Sequence, residues 1–388
     1  MKRKVCIMVA SRANYGRIKS VLHAVKAHPK LELQLIVCAS ALLYRFGSAI
    51  DVIREDGFEP NTLVYMSIEG ETPATMAKST GLAIVELSTI FSTLKPDMVL
   101  TVADRYETLA NAVTASYMNI PVAHTQGGEI SGSIDESVRH AITKLAHIHF
   151  PATPQAARIL RNLGENPERI FLTGCPSLDI ISSINLDLTP EIIKKYGGTG
   201  GTIDFSKPYI LVMQHPVTTE YGHGKEQILE TIHAIDALQM QTIWLWPNID
   251  AGTDELSKAI RNYREQRQPE FVHFYRNFSP EDYIRFLNAS SCIVGNSSSG
   301  LREAALLGVP CVNVGTRQSG RERAQNVIDV PYDRDKILQA IWTQLNHGRY
   351  DSSSLYGSGH AGKKIADVLA AVDLSIVKRL HYDFLQEF

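Results

Sequence analysis

Residues 293–326 read IVGNSSSGLREAALLGVPCVNVGTRQSGRERAQN. A short apolar run leads into a Gly/Asn/Ser turn, a helix-forming stretch, a second apolar run, and a loop carrying Arg317, Arg321 and Arg323. That order is a strand-helix-strand unit of a parallel sheet. A helix starting at Ser297 or Ser298 leaves its first backbone N–H groups unpaired and sets hydroxyls beside them, which favours an anion at its mouth, phosphate first. Leu301, Ala304, Ala305 and Leu307 can line its buried side, whereas the spacing does not fix where Glu303 points. The competing reading is a surface unit whose arginines are solvated.

The chain around this unit has 388 residues, more than one hydrophobic core usually serves, so two domains are expected. A net charge of −2 with 44% apolar residues lacks the basic excess of a general nucleic-acid binder. No run is long and apolar enough to span a membrane, and VCIMVA near the start lacks a signal-peptide cleavage pattern, so neither membrane nor export is expected. Five cysteines, an odd number without CxxC spacing, favour a reducing cytoplasmic setting over a zinc or disulfide scaffold.

Towards the N-terminus, residues 4–10 (KVCIMVA) read as a strand buried on both faces, followed by a helix with Ile18, Val21, Leu22 and Val25 on one side. Arg12 falls at the strand-to-helix junction, where open α/β sheets bind ligands, and its guanidinium suits phosphate or carboxylate. Arg17 reads equally as a second clamp or a solvated helix residue. No GxGxxG fingerprint supports a dinucleotide. Further strands are expected at 31–38, 63–68, 98–102 and 120–123, and helices at 75–94 and 154–163. Asp104 follows the 98–102 strand and either caps the next helix or faces a pocket, while Arg105 and Glu107 can pair at the surface. The polar, Gly-rich stretch 124–136 (HTQGGEISGSIDE) is costly to order and suits a ligand loop. Asp135 and Arg139, four apart, can share a helix face. His124, His140, His147 and His149 have no spacing that requires convergence, and no metal or other cofactor is expected.

The compositional break at 180–207 separates domains taken as 1–180 and 181–370. Beyond it the alternation restarts, with strands at 209–214, 241–246, 271–274 and 292–294 and helices at 225–238 and 280–288. The expected fold is α/β, two Rossmann-like domains facing a cleft. Neither half is a detectable copy of the other. His215 stands at a strand end, as Arg12 does in the first half, either as a cleft ligand or as a satisfied histidine beside a proline turn. From His360 the chain reads as helical in two pieces, the second, 371–388, returning to pack on the first domain through Tyr382, Phe384 and Phe388. A cradle for anions opposite Asp104, Glu129, Asp135 and Glu136 makes sense if the acids handle protons or sugar hydroxyls, which a sugar nucleotide satisfies. These residues alone do not choose among glycosyl transfer, epimerisation and hydrolysis.

Seven stretches in register cover nearly the whole chain: SRANYG (11–16), DRYE (104–107), QGGEISGSIDESVRHAITKLAH (126–147), QHPVTTE (214–220), WPNIDAG (246–252), GNSSSGLREA (295–304) and GTRQSGRE (315–322). Together they resemble the hydrolysing UDP-N-acetylglucosamine 2-epimerases. The resemblance implies a GT-B-like fold, shared with a large class of glycosyltransferases but without an acceptor sugar. It also implies production of N-acetylmannosamine for sialic acid synthesis, by anti elimination of UDP and hydration of a 2-acetamidoglucal. Carried over by position, it puts Arg12, His215, Ser297, Ser298 and Arg317 at the phosphates, Glu303 on the ribose hydroxyls, and Phe278 and Tyr283 near uracil, with Arg17 and Asn248 also counted to the UDP-sugar site. Asp104 and Arg105 serve the sugar, with Asp135 an acid/base held by Arg139. One position departs from the family pattern: Gln126 stands where a catalytic glutamate is usual, and an amide cannot exchange a proton. Its duty then passes to Glu129, or to Asp135 with a substrate-held water, or the chain is a relative acting on UDP-2,4-diacetamido-2,4,6-trideoxyglucose on the route to legionaminic acid. The other readings are a non-hydrolysing epimerase, which retains UDP, a GT-B glycosyltransferase, which needs an acceptor, and a sugar-nucleotide sensor without turnover. A homodimer or homotetramer joined through first-domain helices is expected.

Overall fold

The computed structural model describes residues 2–381 apart from residues 71 and 249. A first sheet contains β1 (Arg3–Val9), β2 (Leu31–Cys38), β3 (Thr62–Val64), β4 (Met98–Val102), β5 (Val122–Thr125) and β6 (Ile148–Phe150) in the order β3-β2-β1-β4-β5-β6, all parallel. Alternation along β1 divides its side chains between two cores. Val5, Ile7 and Val9 pack with Ile18, Leu22 and Val25 of the helix Arg12–Ala27, while Cys6 and Met8 pack with Leu87 and Phe91 of the helix Pro73–Leu94. That second helix begins two residues earlier than the sequence predicts, because Thr72 and Thr75 form a reciprocal cap and Pro73 suits the first turn.

A second sheet holds β7 (Thr199–Gly200), β8 (Ile210–Met213), β9 (Thr242–Leu245), β10 (Val272–Tyr275), β11 (Cys292–Gly295), β12 (Cys311–Val314) and β13 (Val327–Val330). Their order is β13-β12-β11-β8-β9-β10-β7, parallel except for β7, which runs antiparallel to β10. Counted from β8, the six parallel strands repeat the order of the first sheet. β13 and the helix Arg334–His347 were not read from the sequence: β13 is a half-exposed edge strand without an apolar run to mark it. The order reverses between β1 and β4 and again between β8 and β11, the switch points where such sheets bind ligands at strand C-termini. Among the described residues no helix is long and apolar enough to cross a membrane.

After the second sheet the chain returns to the first. Cys175 N–H donates to Tyr356 O at 2.7 Å, and a Cβ on Gly174 would lie 3.3 Å from the Cα of Gly357, so the outgoing and returning segments touch. The helix Ala361–Ala371 then adds Ile365, Ala366 and Leu369 to the core over β1. Of the helix predicted for 371–388, the described part does not form: residues 372–380 are irregular, and 382–388, with Tyr382, Phe384 and Phe388, lie outside the described residues. Arg3 takes the carbonyls of Leu369 and Val372, and Asp373 accepts from Ser375 N–H at 3.2 Å, a local turn that competes with another helical turn. The irregular segment still lies on the first domain, where Lys378 reaches Thr143 O at 2.7 Å and Glu165 at 2.6 Å.

The Asp179 carboxylate caps the returning helix, accepting from the N–H groups of His360 (2.7 Å), Ala361 (2.9 Å) and Gly362 (2.7 Å). Asp179→Ala is expected to destabilise the protein by ~2 kcal/mol through the lost cap, seen as a lower melting temperature; an unchanged melting curve would show that the cap contributes nothing net.

Candidate active site

The two switch points face each other across a cleft of about 1670 Å³, counting its open mouth. Arg12 and Arg17 enter from the helix after β1, Asp104 and Arg105 from the turn after β4, and Asp135 from the start of the helix Asp135–Leu145. Opposite them lie His215, Asn248, Phe278, Tyr283, Ser297, Ser298, Glu303 and Arg317. Gln126, Glu129 and Arg139, also read as site residues, do not line the cleft; they are buried behind it.

The cradle differs from the helix predicted at Ser297. Ser297 caps a three-residue 3₁₀ turn, Ser298–Gly300, and only then does a short helix, Glu303–Leu307, begin with Glu303 in its first turn. The Asn296 side chain accepts from His215 N–H at 2.7 Å and donates to His215 O at 2.8 Å, tying the turn to the end of β8. A helix of this length carries little dipole, so the anion preference rests on hydroxyls and cations. Arg17 donates to Ser298 Oγ at 2.9 Å, Arg317 to Asn296 O at 3.3 Å and Arg12 to Arg276 O at 3.2 Å. Burial lowers the Arg12 pKa to about 10, which leaves it cationic at neutral pH. Arg17, Arg317 and Arg321 are therefore not solvated surface arginines; Arg323 instead pairs with Asp329 at 2.8 Å.

His215 is buried at the cleft wall, and Asn248 N–H donates to its Nδ1 at 3.2 Å. A neutral ring then carries its proton on Nε2 and remains a hydrogen-bond donor. Burial, followed by the charge of Arg317, pushes its pKa down to about 3. Phe278 is stacked on Phe286 at 4.1 Å, so it borders the cleft as part of the core. Tyr283 is hydrogen-bonded to Ser299.

On the facing wall the acids fall into two electrostatic classes. Burial would raise the pKa of Asp104, but Arg139, Arg17 and Arg321 outweigh it and hold the carboxyl well below the usual range. Arg139 is fully buried, bonded to Asp104, and donates to Glu129 O at 2.6 Å. The expected Asp135–Arg139 pair is thus not made: Asp135 opens its helix on the cleft side, while Arg139 reaches back to the end of β4. Nor does Asp104 cap a helix. Arg105 and Glu107 do pair, at 3.1 Å, but Glu107 is buried, and Arg105 also bonds Asp250 from the opposite wall.

Glu129 is bonded to Arg302 and lies 3.5 Å from Arg321; these cations outweigh burial and lower its pKa. Gln126 donates to Cys175 Sγ at 3.3 Å. Asp135 moves the other way, upward to about 6, through burial and then the charge of Asp104. Such divergent environments separate fixed anions from a carboxyl able to exchange protons near neutrality. The four histidines considered for a metal have separate partners: His124 Nε2 with Ala103 O, His140 with Glu136, His147 with Ile376 O and His149 with Glu165. Among the described residues no group of three or more His, Cys, Asp or Glu could hold a metal. Asp250, Asn296 and Arg302 were missed, although each lies in one of the quoted stretches.

Comparison with known proteins gives a consistent result. Residues 23–370 match the family model for UDP-N-acetylglucosamine 2-epimerase. The UDP-N,N'-diacetylbacillosamine 2-epimerase (hydrolyzing) of Legionella pneumophila is 35% identical, covering 96% of this chain and 97% of its own. The UDP-N-acetylglucosamine 2-epimerase of Neisseria meningitidis serogroup B is 33% identical over 92% of each. Among solved structures, the UDP-GlcNAc 2-epimerase of Methanocaldococcus jannaschii in complex with UDP-GlcNAc and UDP superimposes with a TM-score of 0.80 at 17% identity, covering 94% of this chain and 99% of that one. At that identity the likeness speaks to fold.

The His215 environment predicts a ring that stays neutral from pH 8 down to pH 5 (roughly 1.5 units below the ordinary histidine pKa). NMR of the imidazole should show no titration over that interval; a midpoint near the ordinary value would reject the neutral donor.

Proposed function

Because the chain belongs to the UDP-N-acetylglucosamine 2-epimerase family, hydrolysing type, we propose that it converts UDP-N-acetylglucosamine and water into N-acetylmannosamine and UDP. The observation carrying this reading is the placement of Asp135, with its pKa near 6, in one cleft with Arg12, Arg17, Arg317 and the serine hydroxyls of Ser297 and Ser298. The diphosphate lies among Arg12, Arg17, His215, Ser297, Ser298 and Arg317, with Asn248 holding the His215 ring. Glu303 accepts the ribose hydroxyls, and uracil lies by Phe278 and Tyr283. Asp104 and Arg105 line the sugar side.

Asp135 is mostly ionised at neutral pH and takes the C2 proton as the C1–O bond breaks and UDP leaves by anti elimination. The cationic wall stabilises the departing diphosphate, the largest catalytic contribution in this scheme. Water then adds at C1 of the 2-acetamidoglucal, and a proton delivered to the opposite face of C2 gives the manno sugar. Gln126 cannot exchange that proton, while Asp104 and Glu129 are held as anions, so Asp135 with a substrate-held water carries the transfers. A second substrate is favoured by the Legionella relative: N,N'-diacetylbacillosamine is the 2,4-diacetamido-2,4,6-trideoxy sugar, and the same chemistry applies to it. The reading includes a GT-B-like arrangement, a cytoplasmic setting, and a homodimer or homotetramer through first-sheet helices, where Val85 and Tyr117 are exposed.

Incubation with each UDP sugar in deuterated water, followed by NMR, should show free UDP and deuterium at C2 of the product sugar. UDP release without C2 deuteration would sink the elimination. Asp135→Asn should reduce kcat by ~10²–10⁴-fold, the usual range for an acid/base, with UDP affinity nearly unchanged. Since the ionised carboxyl is the working form, kcat should fall as pH drops through about 6; a profile flat from pH 7 to 5 would exclude Asp135 as the base.

A further inference from the structure

The segment carrying Asp135 is gripped by the opposite wall. Glu129 is bonded to Arg302, Arg321 Nε donates to Ile130 O at 3.3 Å, and Gly132 N–H donates to Arg317 O at 3.1 Å. The two backbones approach so closely that side chains are excluded. A Cβ on Gly132 would lie 1.9 Å from the carbonyl oxygen of Thr316 and 3.1 Å from Ser319 Cβ, whereas real Cβ contacts essentially never fall under 3.0 Å. On the other loop, a Cβ on Gly320 would lie 2.7 Å from Ile130 Cγ2, at a φ of +75°.

We infer that Gly132 and the Glu129–Arg302 pair are positioning elements for the proposed reaction: they clamp residues 126–135 onto the nucleotide wall, so that Asp135 takes its working position only in the closed molecule. The inference rests on the epimerase reading above. Arg302 immediately precedes Glu303, and the backbone receiving Gly132 belongs to Arg317. The elements assigned to ribose and diphosphate are therefore the ones that set the acid/base segment. Glu129 has a mechanical part here, consistent with its burial between two guanidinium groups behind the cleft.

A methyl group at position 132 must part the loops by more than 1 Å at Thr316. Misplacement on that scale costs on the order of 10²-fold in rate. Gly132→Ala should therefore lower kcat about 100-fold, while calorimetry finds UDP affinity within about threefold of wild type and the acid limb near pH 6 persists. Glu129→Gln and Arg302→Gln should each lower kcat, and the double variant should be no worse than the poorer single. Wild-type kcat in Gly132→Ala, loss of UDP affinity in step with turnover, additive Glu129 and Arg302 effects, or loss of the acid limb in Glu129→Gln would each overturn the clamp. Small-angle scattering with saturating UDP separates this inference from the epimerase reading. Absence of turnover by the wild type on either sugar counts against the reading, while a Gly132→Ala protein as compact as wild type overturns the clamp in either case.

Discussion

The pairing of Arg139 with Asp104 is the contact on which the cleft depends. Both side chains are buried, Asp104 at the edge of the cleft, and an unpartnered charge in such a place would be costly, so each requires the other. Their union fixes Asp104 as an anion, whose field adds to burial in raising Asp135. It also aims Arg139 inward, where the same guanidinium carries the carbonyl of Glu129. One buried pair thus joins the end of β4, the Gly-rich loop and the raised carboxyl of Asp135.

The same logic extends across the cleft. Arg105 is balanced by Glu107 on its own wall and Asp250 on the other, and Glu129 is balanced by Arg302 and Arg321. Cations left for an anion to meet are then those whose charge the walls do not fully consume, chiefly Arg12 and Arg17, with neutral His215 adding a directed donor. The second half repeats the strand order of the first without repeating its sequence, because strand order fixes only where loops emerge. The residues placed on those loops are free to differ, with Asp104 and Asp135 on one wall and His215, Ser297 and Ser298 on the other.

Local patterns made much of this legible. Apolar runs located β2 and β4 to the residue, and charged residues just beyond strands located Arg12, Asp104 and His215 at the cleft. Spacing of four correctly put Asp135 and Arg139 on one helix but wrongly made them partners, since the end of β4 offers Arg139 a buried carboxylate that no local pattern reveals. The Ser297 turn misled for a similar reason: serines and glycine suit a helix start, yet Asn296 is committed to His215 across 81 residues. Arg302 and Asp250 were invisible as ion-pair partners because their counterparts lie on the other wall. Gln126 was read as a departure from the family pattern, and only the fold reveals it buried against Cys175 rather than facing the cleft.

The contact between the outgoing and returning chain at Gly174 and Gly357 has a mechanical consequence. A single connection would let one half swivel against the other. Two connections laid side by side act as a leaf hinge: they bend readily about one axis and resist torsion.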